Sequence, residues 1–263
     1  MIVAITGGTG FIGKQLLDKH IKNGDHVRLL SRKMQSKEVG VEYFYGDLSK
    51  PDVELSSFVD GADVLYHCAG EINNKSLMQE LHVNGTQRLI NVAQGKIGRW
   101  VQLSSVGAYG ACRIGAITED SKEKPLGVYE RTKTDSDNIV KNSNIPHVIL
   151  RPSNVFGKDM PNQSLRRLLH AVRNGLFFFT GKENESLVNY IHVEDVVEAL
   201  ILCSSNDEAL GEVFNLSQST TVENMIASFM SRSSFDKKIL RFPEGVVRLA
   251  AAIFGCIPGF PLT

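Results

Sequence analysis

Tyr129 and Lys133 stand four residues apart, so on a helix a phenol and an ammonium share one face. A cation beside a phenol favours the phenolate and lowers the tyrosine pKa from its usual ~10. Such a tyrosine exchanges a proton with an alcohol or a carbonyl near neutral pH. A chain with six tyrosines shows one Tyr-x-x-x-Lys by composition about a third of the time, so the pair gains meaning only from its place. That place is after Gln102-Leu103-Ser104-Ser105, a strand that ends in hydroxyls. Ser105 can hydrogen-bond a reacting oxygen while Tyr129 transfers its proton.

A second chemistry-bearing segment, residues 6–13, reads TGGTGFIG between an apolar strand and an amphipathic stretch. Gly7 can take a backbone conformation closed to other residues, Gly10 lets a pyrophosphate approach the main chain, and Gly13 lets helix and strand pack closely. The helix N-terminus then offers N–H groups and partial positive charge to phosphates. Gly7, Thr9, Gly10, Phe11, Ile12 and Gly13 are therefore candidate cofactor contacts. The second strand ends Leu29-Leu30-Ser31-Arg32-Lys33, without the acid that an NAD site places there for the ribose. Arg32 can pair with a 2′-phosphate in bidentate fashion and Ser31 can add a hydrogen bond. NADP is the expected cofactor, with NAD as the alternative.

These groups need a scaffold that brings strand ends together. Ile2–Thr6, His26–Ser31, Val41–Tyr45, Asp63–Cys68, Trp100–Ser104 and His147–Arg151 are short apolar runs. Amphipathic stretches near Phe11–Asn23, Lys75–Gln94 and Val128–Asn142 separate several of them, the last with a sparse apolar set of Val128, Ile139 and Val140. The alternation predicts an α/β, doubly wound parallel sheet of Rossmann type, whose ligand crevice lies at the strands' carboxyl ends. After Arg151 the rhythm loosens. Ser164–Asn174 and Thr221–Met230 read as helices, Leu176–Thr180 and Glu212–Leu216 as short strands. The predicted division is a dinucleotide domain of 1–152 plus about 188–204, and a smaller C-terminal substrate-binding lobe of about 153–187 and 205–263. The abrupt apolar end allows for a truncated C-terminus.

Among 263 residues, 29 basic and 29 acidic side chains cancel, so no net field draws the chain to nucleic acid or anionic lipid. Cys68, Cys112, Cys203 and Cys256 are too scattered for a zinc site or a disulfide framework, and no metal is expected. Free thiols and the lack of a secretory signal point to the cytoplasm. Val246–Phe260 is interrupted by Arg248, Gly255 and Pro258; it falls short of the roughly 20 residues of a membrane span and reads as a packed helix.

The motifs in order are TGGTGFIG (6–13), GDL (46–48), HCAG (67–70), HVNGT (82–86), SSVGAYG (104–110), YERTK (129–133), RPSNVFG (151–157) and YIHVEDV (190–196). Over essentially its whole length the chain resembles the extended short-chain dehydrogenase/reductases, the NAD-dependent epimerase/dehydratase family, of the kind that modifies nucleotide-sugars. The resemblance implies that Ser105, Tyr129 and Lys133 form the catalytic set, with Lys133 also holding the nicotinamide ribose. It further implies that Asp47 and Leu48 border the adenine, that Ala69 and Gly70 line the cofactor, and that Asn154 and Ser105 contact substrate. Asn84 and the pair His192 and Asp195 match architectural positions. Relatives that dehydrate sugars carry an acidic pair just after the strand-five hydroxyl; Val106 and Gly107 stand there instead, which argues against dehydration. The implied function is NADP(H)-dependent reduction of a keto-sugar on a nucleotide. The alternatives are a nucleotide-sugar 4-epimerase and, from another class, a non-catalytic NADP-binding redox sensor. Sensors of that kind commonly lose the tyrosine or the lysine; this chain keeps both. Arg166, Arg167 and Arg173 can meet a diphosphate, Phe177-Phe178-Phe179 can line an apolar pocket or form an edge strand, and a homodimer through the helices flanking Tyr129 is expected.

Overall fold

Runs of Val, Ile and Leu too apolar for one exposed face can be satisfied only by a sheet covered on both sides. The structure, a computed structural model, describes residues 1–33, 39–112, 115–232 and 238–248. Its elements run β1 (Ile2–Thr6), α1 (Phe11–Lys22), β2 (His26–Ser31), β3 (Val41–Tyr45), α2 (Ser56–Val59), β4 (Ala62–His67), α3 (Lys75–Met78), a π turn (Gln79–Asn84) and α4 (Gly85–Ala93). They continue with β5 (Ile97–Leu103), a 3₁₀ turn (Val106–Tyr109), α5 (Val128–Lys141), β6 (His147–Pro152), β7 (Asn154–Phe156) and α6 (Ser164–Arg173). The rest are β8 (Phe179–Thr180), β9 (Leu187–His192), α7 (Val193–Ser205), a second 3₁₀ turn (Asp207–Ala209), β10 (Val213–Leu216), β11 (Gln218–Thr221), α8 (Val222–Arg232) and β12 (Arg241–Phe242).

The main sheet has seven strands in the order β10-β6-β5-β4-β1-β2-β3, and its pairings are parallel. Alternation along β1 shows the double winding. Val3 and Ile5 join Leu16, Leu17, Val196 and Leu200 in one core, while Ala4 faces Phe58, Leu89, Ile90 and Val140 in the other. Chain order reverses between β1 and β4, so the segments after Thr6 and after His67 flank the switch point where such sheets bind ligands.

The chain divides into two compact units, Met1–Asp159 with Tyr190–Ser217, and Met160–Asn189 with Gln218–Thr263. The first unit's second segment runs beyond the expected 204 because β10 pairs with β6, Val213 opposite Ile149. Within the second unit, β8 and β12 form a two-stranded parallel ladder and α6 packs on α8. Phe177 stacks edge-on against Phe179, and Phe178 against Phe242; the aromatic run fills its own unit, with only Phe179 and Thr180 extended as strand. Most of the helix expected over Val246–Phe260 lies outside the described residues. Among the described residues, no helix is long and apolar enough to cross a membrane.

Candidate functional site

The bend after β1 is built from close approaches. Gly7 has φ +71°, and a Cβ there would lie 2.6 Å from Ala69 N. A Cβ at Gly13 would lie 2.2 Å from Gly7 O, so helix α1 can start this near the strand only on glycine. Its N-cap, Gly10, brings no side chain to the helix end, and the first turn holds no acid. The lone first-turn N–H groups fit a pyrophosphate. Gly13→Ala is expected to cost about 1–3 kcal/mol of stability, read as a lower thermal midpoint; an unchanged midpoint would show that this contact can open freely.

At the end of β2, Arg32 is exposed and Ser31 is buried. The Ser31 hydroxyl donates to Lys33 O at 2.8 Å and accepts from Lys33 N at 3.2 Å. Its one proton is thus committed to its own turn. Asp47 accepts from Ser49 N and Oγ; burial works against its charge, but Ser49 and the Arg32 guanidinium hold the carboxyl below its usual range. Leu48 is buried and its carbonyl accepts from Arg88 at 3.1 Å. Ala69 N donates to Thr6 Oγ1 at 3.3 Å, tying the HCAG turn to the end of β1.

The strand-five hydroxyl and the helix-α5 tyrosine come together. Ser105 Oγ accepts from Gly107 N at 3.1 Å, capping the 3₁₀ turn, and its hydroxyl lies near enough to the Tyr129 phenol to pull that group's pKa down. Burial pushes Tyr129 up to about 12, with the Glu130 and Asp137 carboxylates adding to the rise and Ser105 opposing it. This corrects the expectation of a lowered pKa. Helical spacing puts Lys133 on the right face, but its ammonium is drawn to Leu103 O at 2.5 Å. Lys133 is buried, and desolvation lowers its pKa against the field of Asp137.

Asn154 is exposed on β7, opposite Tyr190 of β9. Asn84 donates to Glu80 at 2.5 Å within the π turn. His192 accepts from Glu194 N at 3.4 Å, capping α7. Arg166 and Arg167 border a groove in the second unit with His170 and Leu176.

Sequence patterning misses the buried polar lattice that holds these groups. The inward face of α5 is Thr132, Lys133, Thr134, Ser136, Asp137 and Val140, nearly all polar. Trp100 donates to Gln102 at 2.9 Å, Gln102 to Ser136 at 2.9 Å, and Ser136 meets Thr86 at 2.9 Å. Thr86 gives its own proton to His82 O at 2.6 Å, so His67 Nε2 must donate to Thr86 and His67 Nδ1 must accept from Thr6. Burial first, and Lys133 second, hold His67 neutral with a pKa of about 3. A second knot joins Asp137 Oδ2 to Ser104 Oγ at 2.7 Å and to Arg151 Nε at 3.1 Å. The spacing 129, 133, 137 is the one signal that could have found Asp137.

The family model of the NAD dependent epimerase/dehydratase family matches residues 3–217. The chain belongs to that family. The epimerase/dehydratase relatives with curated names include sterol-4-alpha-carboxylate 3-dehydrogenase, decarboxylating, of Homo sapiens, 28% identical over 222 residues, or 79% of this chain and 59% of that protein. The chain thus spans about three fifths of that relative. Another is the 4-hydroxy-2-methyl-3-oxo-4-farnesyl-3,4-dihydroquinoline-1-oxide ketoreductase of Stigmatella aurantiaca, 27% identical over 94% of this chain and 78% of its own. Among solved structures, UDP-glucuronic acid 4-epimerase from Bacillus cereus in complex with NAD has a TM-score of 0.74 at 21% identity, covering 92% of this chain and 88% of that one. At that identity the likeness shows the shared fold. In such a fold ligands bind at the carboxyl ends of the parallel strands, the end at which both the bend after β1 and the strand-five hydroxyl lie.

Proposed function

We propose that the chain transfers hydride between a nicotinamide dinucleotide and a carbon bearing oxygen, reducing with NADPH a keto-sugar carried on a nucleotide. The observation that carries this reading is the Ser105–Tyr129 hydroxyl pair at the end of β5. A proton donor must hold its proton at working pH, and a phenol at about 12 does so. Bound at the crevice, the nicotinamide supplies the hydride chemistry. The chain's own residues do the rest. Ser105, oriented by Gly107 N, holds the substrate oxygen, and Tyr129 delivers its phenolic proton there. Lys133, held at Leu103 O, offers its ammonium to the nicotinamide ribose, and Asp137 helps Lys133 stay charged. The first-turn amides of α1 receive the pyrophosphate, with Asp47, Leu48, Ala69 and Gly70 around the dinucleotide, and Asn154 on β7 contacts substrate.

The preference for NADPH rests on Arg32, since β2 ends without an acid and Ser31's proton is already given to Lys33 O. Arg32→Ala is expected to weaken NADPH about ten- to a hundredfold, as for the loss of one charge-assisted hydrogen bond, while NADH affinity holds within about twofold. Equal losses for both dinucleotides would assign the preference elsewhere.

A second reading follows from the relatives' substrates, a sterol carboxylate and a farnesylated quinoline oxide: the ketone would be a large apolar one. NADPH oxidation assayed with a nucleotide-linked 4-keto-sugar and with a 3-ketosteroid separates the two. Turnover of the sugar alone supports the first reading, turnover of the steroid alone the second. Purified protein that retains NAD favours the epimerase, and steady NADPH oxidation excludes a redox sensor as the sole role. Pairing of two copies through α4 and α5 would use a polar face, since Gln87, Asn91, Gln94, Asn138 and Asn142 surround an open groove of about 430 Å³.

A further inference from the structure

The sequence reads Lys75–Gln94 as one helix, yet a π turn interrupts it at Gln79–Asn84, and His82 is the buried side chain of that turn. A π turn widens the helix by one residue and commonly marks a functional position. His82 is 1% exposed, and both of its ring nitrogens are engaged. Nε2 accepts the amide proton of Glu71 at 2.8 Å. Nε2 therefore carries no proton, and Nδ1 must be the donor to Thr132 Oγ1 at 2.8 Å. Thr132 passes its proton on to the carbonyl of Tyr129 at 3.1 Å. The imidazole also stands edge-on to the Tyr129 ring, with centroids 5.7 Å apart and planes at 82°.

One neutral imidazole thus touches three things: the amide that follows Ala69 and Gly70, the main chain of Tyr129 through Thr132, and the ring of Tyr129. A Cβ on Gly70 would come within 3.6 Å of Nε2, so the ring also sets the floor of the HCAG turn. With each nitrogen committed, His82 has no site left from which to pass a proton to a ligand.

We propose that His82 is a positioning residue, which fixes the Tyr129 phenol relative to the turn after β4 through its two hydrogen bonds and its ring edge. The proposal deepens the reading of Tyr129 as proton donor and rests on it. Its neutrality across the physiological range has named causes. Burial, then the Lys133 ammonium, hold its pKa at about 3 against the Glu71 carboxylate. The Glu130 and Asp137 charges raise the phenol's pKa and Ser105 lowers it.

The test follows Tyr129 without any substrate, by NMR of protein carrying ¹³Cζ-tyrosine, with the Tyr129 resonance identified by its loss in Tyr129→Phe. In the wild type the phenol is expected to stay protonated up to about pH 10.5. His82→Phe keeps an aromatic ring but removes both hydrogen bonds, so the phenol gains solvent and its pKa is expected to fall by about one unit or more towards the ordinary ~10. His82→Gln, which can again accept from Glu71 and donate to Thr132, is expected to restore the wild-type titration. NADPH-dependent turnover is expected to drop about tenfold or more in His82→Phe, with the KM for NADPH within about twofold. Should His82→Phe fail to fold, Thr132→Val cuts the same chain of hydrogen bonds while leaving the imidazole in place, and the same shift is expected. An unmoved Tyr129 titration in a folded His82→Phe, or in Thr132→Val, overturns the proposal. A shifted titration in a protein that turns over no ketone leaves the positioning role standing and defeats the enzyme reading instead.

Discussion

Tyr129→Phe is expected to lower kcat by about 10²–10⁴-fold, the usual worth of a positioned general acid, while the thermal midpoint and NADPH affinity stay near wild type. The substitution removes one oxygen from a ring that keeps its edge contact with His82. Ser105 keeps the Gly107 amide, so the strand-five turn has reason to hold its shape. KM for the ketone should change little, because the lost interaction matures as charge develops on the substrate oxygen. A variant with near-normal kcat would mean that water or another group supplies the proton. A variant with normal kcat and raised KM would make Tyr129 a binding residue only.

Arg151→Met is expected to cost about 3–5 kcal/mol of stability, as when one partner of a buried ion pair is removed. Arg151 is 1% and Asp137 0% exposed. The guanidinium gives two hydrogen bonds to Asp137 Oδ2, at 3.1 and 2.9 Å, and a third to Glu123 at 2.5 Å, and it stacks 5.1 Å from the centre of the Tyr109 ring. Methionine fills much of the volume and satisfies none of these groups. Burial already pushes the Asp137 carboxyl above its usual range against the pull of Arg151 and Lys133; without Arg151 it moves higher. A carboxyl raised in the folded state contributes its full stability below the unfolded value near ~4 and loses it as pH rises through the folded value. The deficit of Arg151→Met should therefore be smallest in mild acid and grow towards alkaline pH. Chemical denaturation at several pH values measures it. A deficit below about 1 kcal/mol, or one indifferent to pH, would mean that Asp137 is satisfied without its partner.

Burial on both faces leaves Ile2–Thr6 and most of His26–Ser31 as apolar runs, and the half-buried edge strand Val41–Tyr45 is legible from its Val and aromatic residues; all three have the bounds read from sequence. Helix α5 was placed well, but its apolar residues are few because its buried face makes hydrogen bonds through Ser136 and Asp137. Periodicity cannot see such a face. Nor can it see a π turn, since widening one turn leaves residue types unchanged, and His82 was therefore visible only as the first letter of a motif. The effect of Lys133 on Tyr129 was inferred from helical neighbourhood alone. A competing acceptor, Leu103 O, comes from a strand 30 residues earlier, which no local pattern contains. Arg151 has no role legible in RPSNVFG, because its partners Asp137 and Glu123 lie on α5 and in the segment before it.

Crystals grown with NADPH give the most direct test of where hydride chemistry takes place. The pyrophosphate should lie on the first turn of α1, with the nicotinamide ring in van der Waals reach of Tyr129 and its ribose beside Lys133. A dinucleotide bound away from the Gly7–Gly13 bend, or a Tyr129 phenol facing away from the nicotinamide, would contradict the proposed chemistry.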